Sequence, residues 1–237
     1  MTTPAIRTEN TGTTANGTLP ADSTKLALFD LDGVLFDTLA VMRVAWDRVR
    51  AEYGFSASFE DYADHLGRPF DDILGMLGLD LPQDSSARVL DTYQAVSAEH
   101  ADLAVPCSGV VDTLCQLDSR QLLLGVVTSK PKVSALPLLD RLGCEWTVIR
   151  TPGSERGKPA PDSLLLAVTD VGVDPREAVY VGDMSVDQQA ADRAGIPYLH
   201  ASWGYGTPAT TDAVVLSHPQ ELITALTDPS RREVLSA

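Results

Sequence analysis

Asp30 and Asp32 stand two residues apart at the end of a short apolar run, and Gly33 behind them lets the backbone turn sharply. Cleaving a phosphomonoester needs a nucleophile, a proton donor for the leaving oxygen, and positive charge on the phosphoryl oxygens. Two carboxylates on one tight turn can supply the first two if their surroundings keep one ionised and the other protonated. The same pair would also serve as plain turn or capping residues. Thr128 and Ser129 close a second apolar run. Their hydroxyls and backbone N–H groups can hold phosphoryl oxygens, or can form nothing more than a hydroxyl-capped turn. Lys158 lies in GKPAPD (157–162), where two prolines stiffen the chain and aim the ammonium. There it can neutralise a phosphoryl group and hold Asp30 ionised, the alternative being a solvated loop lysine. Asp183 ends a third apolar run, and with Asp30 it can bind a hard cation. Octahedral oxygen ligation suits Mg²⁺. Asp187 follows on the first turn of the next helix, close to the same cluster, where it also suits a helix cap.

Three elements must position these groups, and their pattern is legible. The run LALF before Asp30 has the continuous apolar character of a buried central strand. Further strands are expected at Gln121–Val127, Trp146–Ile149, Ala178–Val181, Tyr198–His200 and Ala213–Leu216, most of them separated by helical stretches. Strands alternating with helices imply an α/β fold, a Rossmann-like parallel sheet with right-handed crossovers. Ligands of such sheets bind beyond the carboxyl ends of the strands, where all three polar clusters fall. From Thr38 the period becomes helical, with Leu39, Met42, Trp46, Val49 and Tyr53 recurring until Gly54 stops the run. Helical stretches at about 58–66, 69–78 and 84–102 follow, punctuated by Gly67-Arg68-Pro69 and Leu81-Pro82. The expected organisation is therefore an α/β core of residues 25–39 and 105–237 with a small inserted helical cap at 40–104. Residues 1–24, rich in Thr, Gly and Ala without hydrophobic period, read as a disordered tail.

The bulk composition narrows the partners. A net charge of −15 over 237 residues repels nucleic acid and anionic membrane, so a phosphorylated small molecule must be captured by a local positive site. Lys25, Lys130, Lys132 and Lys158 are the only lysines, which makes one inside a motif informative. Cys107, Cys115 and Cys144 fit neither a zinc site nor a disulfide framework. With no secretory start and no apolar run of membrane length, a cytoplasmic protein with reduced thiols is expected.

Taken together, DLDGVLFDT (30–38), VVTSK (126–130), GKPAPD (157–162) and GDMSVDQQAADRAG (182–195) resemble the four motifs of the haloacid dehalogenase superfamily. The resemblance implies Asp30 as nucleophile, Asp32 as general acid and base, Thr128 as phosphoryl binder and Lys158 as its neutralising charge. It implies Mg²⁺ held by Asp30, Asp183 and the backbone carbonyl of Asp32, with Asp187 acting through water or through a neighbour. Ser129 and Gly33 would join the substrate-binding loops. The helical insert falls where this superfamily carries its C1-type cap. TSK, GKPAPD and WGYG (203–206) look like phosphoglycolate phosphatase-like members; beta-phosphoglucomutase-like members share DLDGV, and Val34 stands where many phosphatases have Thr. Phosphatase chemistry is thus the leading expectation and phosphomutase the alternative. A non-catalytic binding protein would be expected to have lost one of Asp30, Asp32, Lys158 or Asp183. The insert lacks lysine, which argues against Schiff-base chemistry there. Arg68 could take a substrate carboxylate or second phosphate, or be a surface residue paired with Asp71 or Asp72. His65 reads as surface or packed, and Trp203 and Tyr205 either flank the site or fill the core.

Overall fold

The computed structural model describes residues 24–227. The sequence reading of 1–24 as a tail falls on residues outside that range, except for Thr24, which is buried. The first strand, β1 (Leu26–Phe29), is buried along its whole length, as its unbroken apolar run requires. Its side chains divide by the period of two. Ala27 and Phe29 enter one hydrophobic cluster, while Leu26 and Leu28 enter another on the opposite face. A short strand β2 (Phe36–Asp37) follows. Next come the helices α1 (Leu39–Tyr53), α2 (Phe59–Ala63), α3 (Phe70–Met76) and α4 (Gln83–Glu99). The chain returns through β3 (Val105–Pro106), which pairs antiparallel with β2.

The remaining elements alternate: α5 (Val110–Asp118), β4 (Leu123–Val127), α6 (Lys132–Asp140), β5 (Val148–Arg150), α7 (Asp162–Val171), β6 (Ala178–Gly182), α8 (Ser185–Ala194), β7 (Tyr198–Ala201), β8 (Val214–Leu216) and α9 (Glu221–Thr227). Six strands form one parallel sheet in the order β5-β4-β1-β6-β7-β8. Helices α5, α6 and α9 bury their apolar stripes on one face, and α7 and α8 on the other. This is the expected α/β Rossmann-like fold. The strand after α5 begins two residues later than the apolar run suggests, because Gln121 takes a left-handed turn with φ 61°.

Helices α1 to α4 close around a cluster of their own. Trp46 is its fully buried centre, stacked on Tyr62 at 4.5 Å, with its indole N–H donated to the carbonyls of Ala57 and Ser58. Truncating such a residue to alanine typically costs about 3–5 kcal/mol. The boundaries follow local chemistry. Gly54, left-handed, ends α1. Ser58 and Asp61 form a reciprocal capping box on α2. Pro69 and Pro82 precede α3 and α4, where the missing N–H would have had no partner. Among the described residues no helix is long and apolar enough to cross a membrane.

Candidate active site

Because β1 lies between β4 and β6, the residues that follow these three strands converge. Asp30, Thr128 and Asp183 each stand immediately beyond a strand end, and all three are buried. Lys158 reaches the same point from the loop before α7. Its ammonium lies 3.0 Å from Asp30 Oδ1 as an ion pair without hydrogen-bond alignment. It also donates to Asp187 Oδ1 at 2.8 Å and to the Tyr180 hydroxyl at 3.0 Å. The Tyr180 hydroxyl lies 3.1 Å from the Val127 carbonyl, which ties Lys158 to the residue before Thr128. Asp187 spends its other oxygen on the Met184 N–H at 3.0 Å, so it caps α8 as well as holding the lysine.

These groups shift one another's protonation. Burial pushes Asp30 up to about 7, with Lys158 opposing and Asp187 and Asp32 reinforcing the rise. Burial also raises Asp183 well above the usual carboxylate range, with Asp187 and Asp30 adding to it. Burial alone would lower Lys158, but Asp187 and Asp30 together hold it above its ordinary value.

The arrangement fits a divalent cation. Asp30, Asp183 and Asp187 each offer a carboxylate oxygen within 4.8 Å of the others, against the one ammonium of Lys158. Asp183 Oδ1 is buried without any donor, and Asp30 Oδ1 lacks a hydrogen bond. Leaving such oxygens unpaired is costly unless a cation meets them. Asp183 is cradled by two glycines. A Cβ on Gly33, whose φ is +82°, would lie 2.2 Å from Asp183 Oδ2; one on Gly204 would lie 2.3 Å from its Cβ. The Tyr205 N–H donates to the same Oδ2 at 2.7 Å.

Asp32 points elsewhere. Thr38 donates its hydroxyl to Oδ1 at 2.6 Å, and the Lys130 ammonium reaches Oδ1 at 2.9 Å and Oδ2 at 3.2 Å. Thr128 Oγ1 accepts the Lys130 N–H at 3.1 Å, so the hydroxyl turn is real, and its own O–H is not thereby consumed. Ser129 donates its hydroxyl to the carbonyl of Gly67 at 2.7 Å and thereby joins this loop to the turn that carries Arg68.

A cavity of about 310 Å³ is lined by Asp30, Asp32, Thr128 and Lys158, by Arg68 from the turn before α3 and by Tyr93 from α4. Arg68 is half-buried and forms no ion pair among the described residues. Asp71 instead accepts the Ser86 hydroxyl, and Asp72 pairs with no cation. The structure thus brings Asp30, Asp32, Gly33, Thr128, Ser129, Lys158, Asp183 and Asp187 to one end of the sheet, with Arg68 at the same cavity.

Sequence reasoning missed Lys130, Tyr180 and Thr38. The rarity of lysine and its place at the end of VVTSK were the available signals for Lys130. Tyr205 serves both purposes considered for it: it lines the cavity and packs against the helical cluster, and its hydroxyl accepts the Thr38 N–H at 2.6 Å. Trp203 packs on the core and donates to the Val34 carbonyl at 3.1 Å. Cys107, Cys115 and Cys144 are all free thiols, and burial pushes Cys107 up to about 12.

Comparison with known proteins gives the family and the fold. Residues 27–201 match the family model described as haloacid dehalogenase-like hydrolase. The chain is 33% identical to the N-acetylmuramic acid 6-phosphate phosphatase of Pseudomonas aeruginosa, covering 85% of this chain and 94% of that one. It is 30% identical to the phosphoglycolate phosphatase of Pseudomonas putida, covering 90% and 82%. The crystal structure of a hydrolase from Pseudomonas syringae superposes with a TM-score of 0.75 at 22% identity, covering 85% and 97%, a likeness of fold.

Proposed function

Because the chain belongs to the haloacid dehalogenase-like hydrolase family and is a phosphohydrolase, we propose that it hydrolyses a small-molecule phosphomonoester through a phosphoryl group carried on Asp30. The observation that carries this reading is the pairing of a buried Asp30 with Lys158 at 3.0 Å, beside an Asp183 oxygen that has no donor. An Asp30 oxygen attacks phosphorus as the bond to the leaving oxygen breaks, and Asp32 gives that oxygen its proton. Asp32 then takes a proton from water, whose oxygen attacks phosphorus and frees Asp30 and inorganic phosphate. Lys158 opposes the effect of burial and favours ionised Asp30. Thr128 and the backbone N–H groups after β4 donate to the phosphoryl oxygens. Mg²⁺, held by Asp30, Asp183 and the carbonyl of Asp32, would supply the remaining positive charge on those oxygens.

Helices α1–α4 act in this reading as a lid that excludes water, hinged where β2 meets β3. Ser129 and Gly33 complete the substrate loops, and Arg68 meets the part of the substrate remote from phosphorus. The two curated relatives are named for phosphatase action on different metabolites that both carry an acid group, and a carboxylate is the natural partner of an unpaired arginine. Three free thiols suit a reducing cytoplasm. Water rather than a second sugar hydroxyl is the acceptor, as in both named relatives. The test is phosphate release from para-nitrophenyl phosphate. It should require Mg²⁺, stop with EDTA and fall by roughly 10³-fold or more in Asp30→Asn. Metal-independent turnover, or a folded Asp30→Asn retaining a tenth of the rate, would overturn the reading.

A further inference from the structure

We propose that Lys130 is a positioning residue that orients the carboxylate of Asp32 for proton transfer, a proposal that rests on the reading of Asp32 as acid and base. Three observations carry it. First, a single ammonium spans both Asp32 oxygens, at 2.9 and 3.2 Å, while Thr38 fixes Oδ1 at 2.6 Å. Donors from two separate elements, the loop after β4 and the residue before α1, therefore leave the carboxylate little freedom to rotate. Second, the pair is enclosed. The side chains of Lys130 and Asp32 are 11% and 17% exposed, whereas a surface pair such as Arg43–Glu60 is 51% and 69% exposed. Surface pairs hold geometry poorly and contribute little; an enclosed pair is screened less and holds its orientation.

Third, the lysine is itself anchored. Its N–H is bound to Thr128 Oγ1, and its neighbour Ser129 is tied to Gly67. The stem of Lys130 thus starts from a fixed point beside the phosphoryl loop.

Lys130 moves no proton in this account. When Asp32 carries its proton, the ammonium donates to the carboxyl's other oxygen, and the acidic O–H faces the leaving oxygen. When Asp32 is ionised, the same contact keeps a lone pair directed at the incoming water. A lysine suits this task because its ammonium is a compact charge with three donors, which can follow the carboxyl through both states.

Leaving-group dependence separates this role from a purely structural one. Phenyl phosphate needs protonation of its leaving oxygen more than para-nitrophenyl phosphate does. The ratio of kcat/KM for the two is read on one preparation, so it is independent of how much of a variant is folded. Lys130→Met should depress phenyl phosphate roughly ten- to a hundredfold more than para-nitrophenyl phosphate, the range for losing a charge-assisted hydrogen bond. Lys130→Arg, which keeps the charge, should restore part of the ratio. In an Asp32→Asn background, Lys130→Met should change the ratio no further, because the group it positions is gone. An equal loss for both substrates on replacing Lys130 in the enzyme that keeps Asp32 would place Lys130 on the phosphoryl group and overturn the proposal. So would an unchanged ratio in Lys130→Met. Should Asp32→Asn itself show no leaving-group dependence, the reading of Asp32 fails and the proposal falls with it, a result distinct from failure of Lys130 alone.

Discussion

Replacing Gly204 by alanine probes the buried Asp183 end of the carboxylate cluster without replacing any side chain of the site. The new Cβ would stand 2.3 Å from Asp183 Cβ and 2.5 Å from its Oδ2, closer than non-bonded carbon and oxygen can approach. Asp183 is fully buried, and its Oδ2 holds the N–H of the next residue in the loop, Tyr205. Either the carboxylate or the loop must therefore yield. Overpacking of this kind typically costs about 1–3 kcal/mol. For a chain of this length each kcal/mol moves Tm by about 2–4 °C, so the melting point should fall by roughly 2–12 °C. A displaced Asp183 should raise the Mg²⁺ concentration for half-maximal hydrolysis of para-nitrophenyl phosphate by about tenfold, the scale of a disturbed support to a metal ligand. Gly33→Ala crowds the same Oδ2, at 2.2 Å, and adds a left-handed φ of +82° that costs roughly 1–2 kcal/mol more. Scanning calorimetry and a Mg²⁺ titration of activity measure both quantities. A Gly204→Ala protein with wild-type Tm and wild-type Mg²⁺ dependence would refute the argument that this glycine is there to admit Asp183.

Two further outcomes are expected. Arg68→Ala should raise KM for an acidic phosphorylated metabolite by roughly tenfold or more, a charge-assisted bond being worth about 1.5–3 kcal/mol; KM for para-nitrophenyl phosphate should barely change, and equal effects on both would remove Arg68 from substrate recognition. Burial lowers the pKa of His200, whose Nδ1 lies 3.0 Å from the Tyr198 hydroxyl. The unfolded chain then binds more protons at this group, so its contribution to stability is complete above about pH 6.5 and is lost as pH falls toward the lower folded value. Wild type should lose more stability than His200→Gln between pH 7.5 and 5.5 in denaturant melts. The opposite trend of the raised Asp30 and Asp183 is common to both proteins and cancels in the difference, so parallel losses would contradict the role given to His200.

The core of the fold was legible because three apolar runs end abruptly in polar residues. A buried parallel strand has that signature, and sheet topology then brings its end together with its neighbours' ends. Asp30, Thr128 and Asp183 could thus be placed at one site before any contact was known. The parts that escaped lack a local signature. Strands β2 and β3 are two residues each, too short for alternation to register. Tyr180 sits inside an apolar strand, where an aromatic reads as core, and its hydroxyl acts on residues 22 and 53 positions away. Lys130 ends the VVTSK motif, but its partner Asp32 stands 98 positions away, and nothing in the motif names that partner. Arg68 could be flagged from its turn. Its lack of an acidic partner became visible only when the neighbouring Asp71 was found bound to Ser86.

The central claim is a covalent phosphoryl group on Asp30. Acid-quenching the enzyme during turnover of para-nitrophenyl phosphate, reducing with borohydride and sequencing the peptides by mass spectrometry tests it directly, because an aspartyl phosphate is reduced to homoserine where a free carboxylate is not. Homoserine is expected at position 30 in the wild type, and more of it in Asp32→Asn, where water attack on the phosphoenzyme is slowed. Turnover without reduction at position 30 in either protein, or a phosphoryl group recovered on another residue, would contradict it.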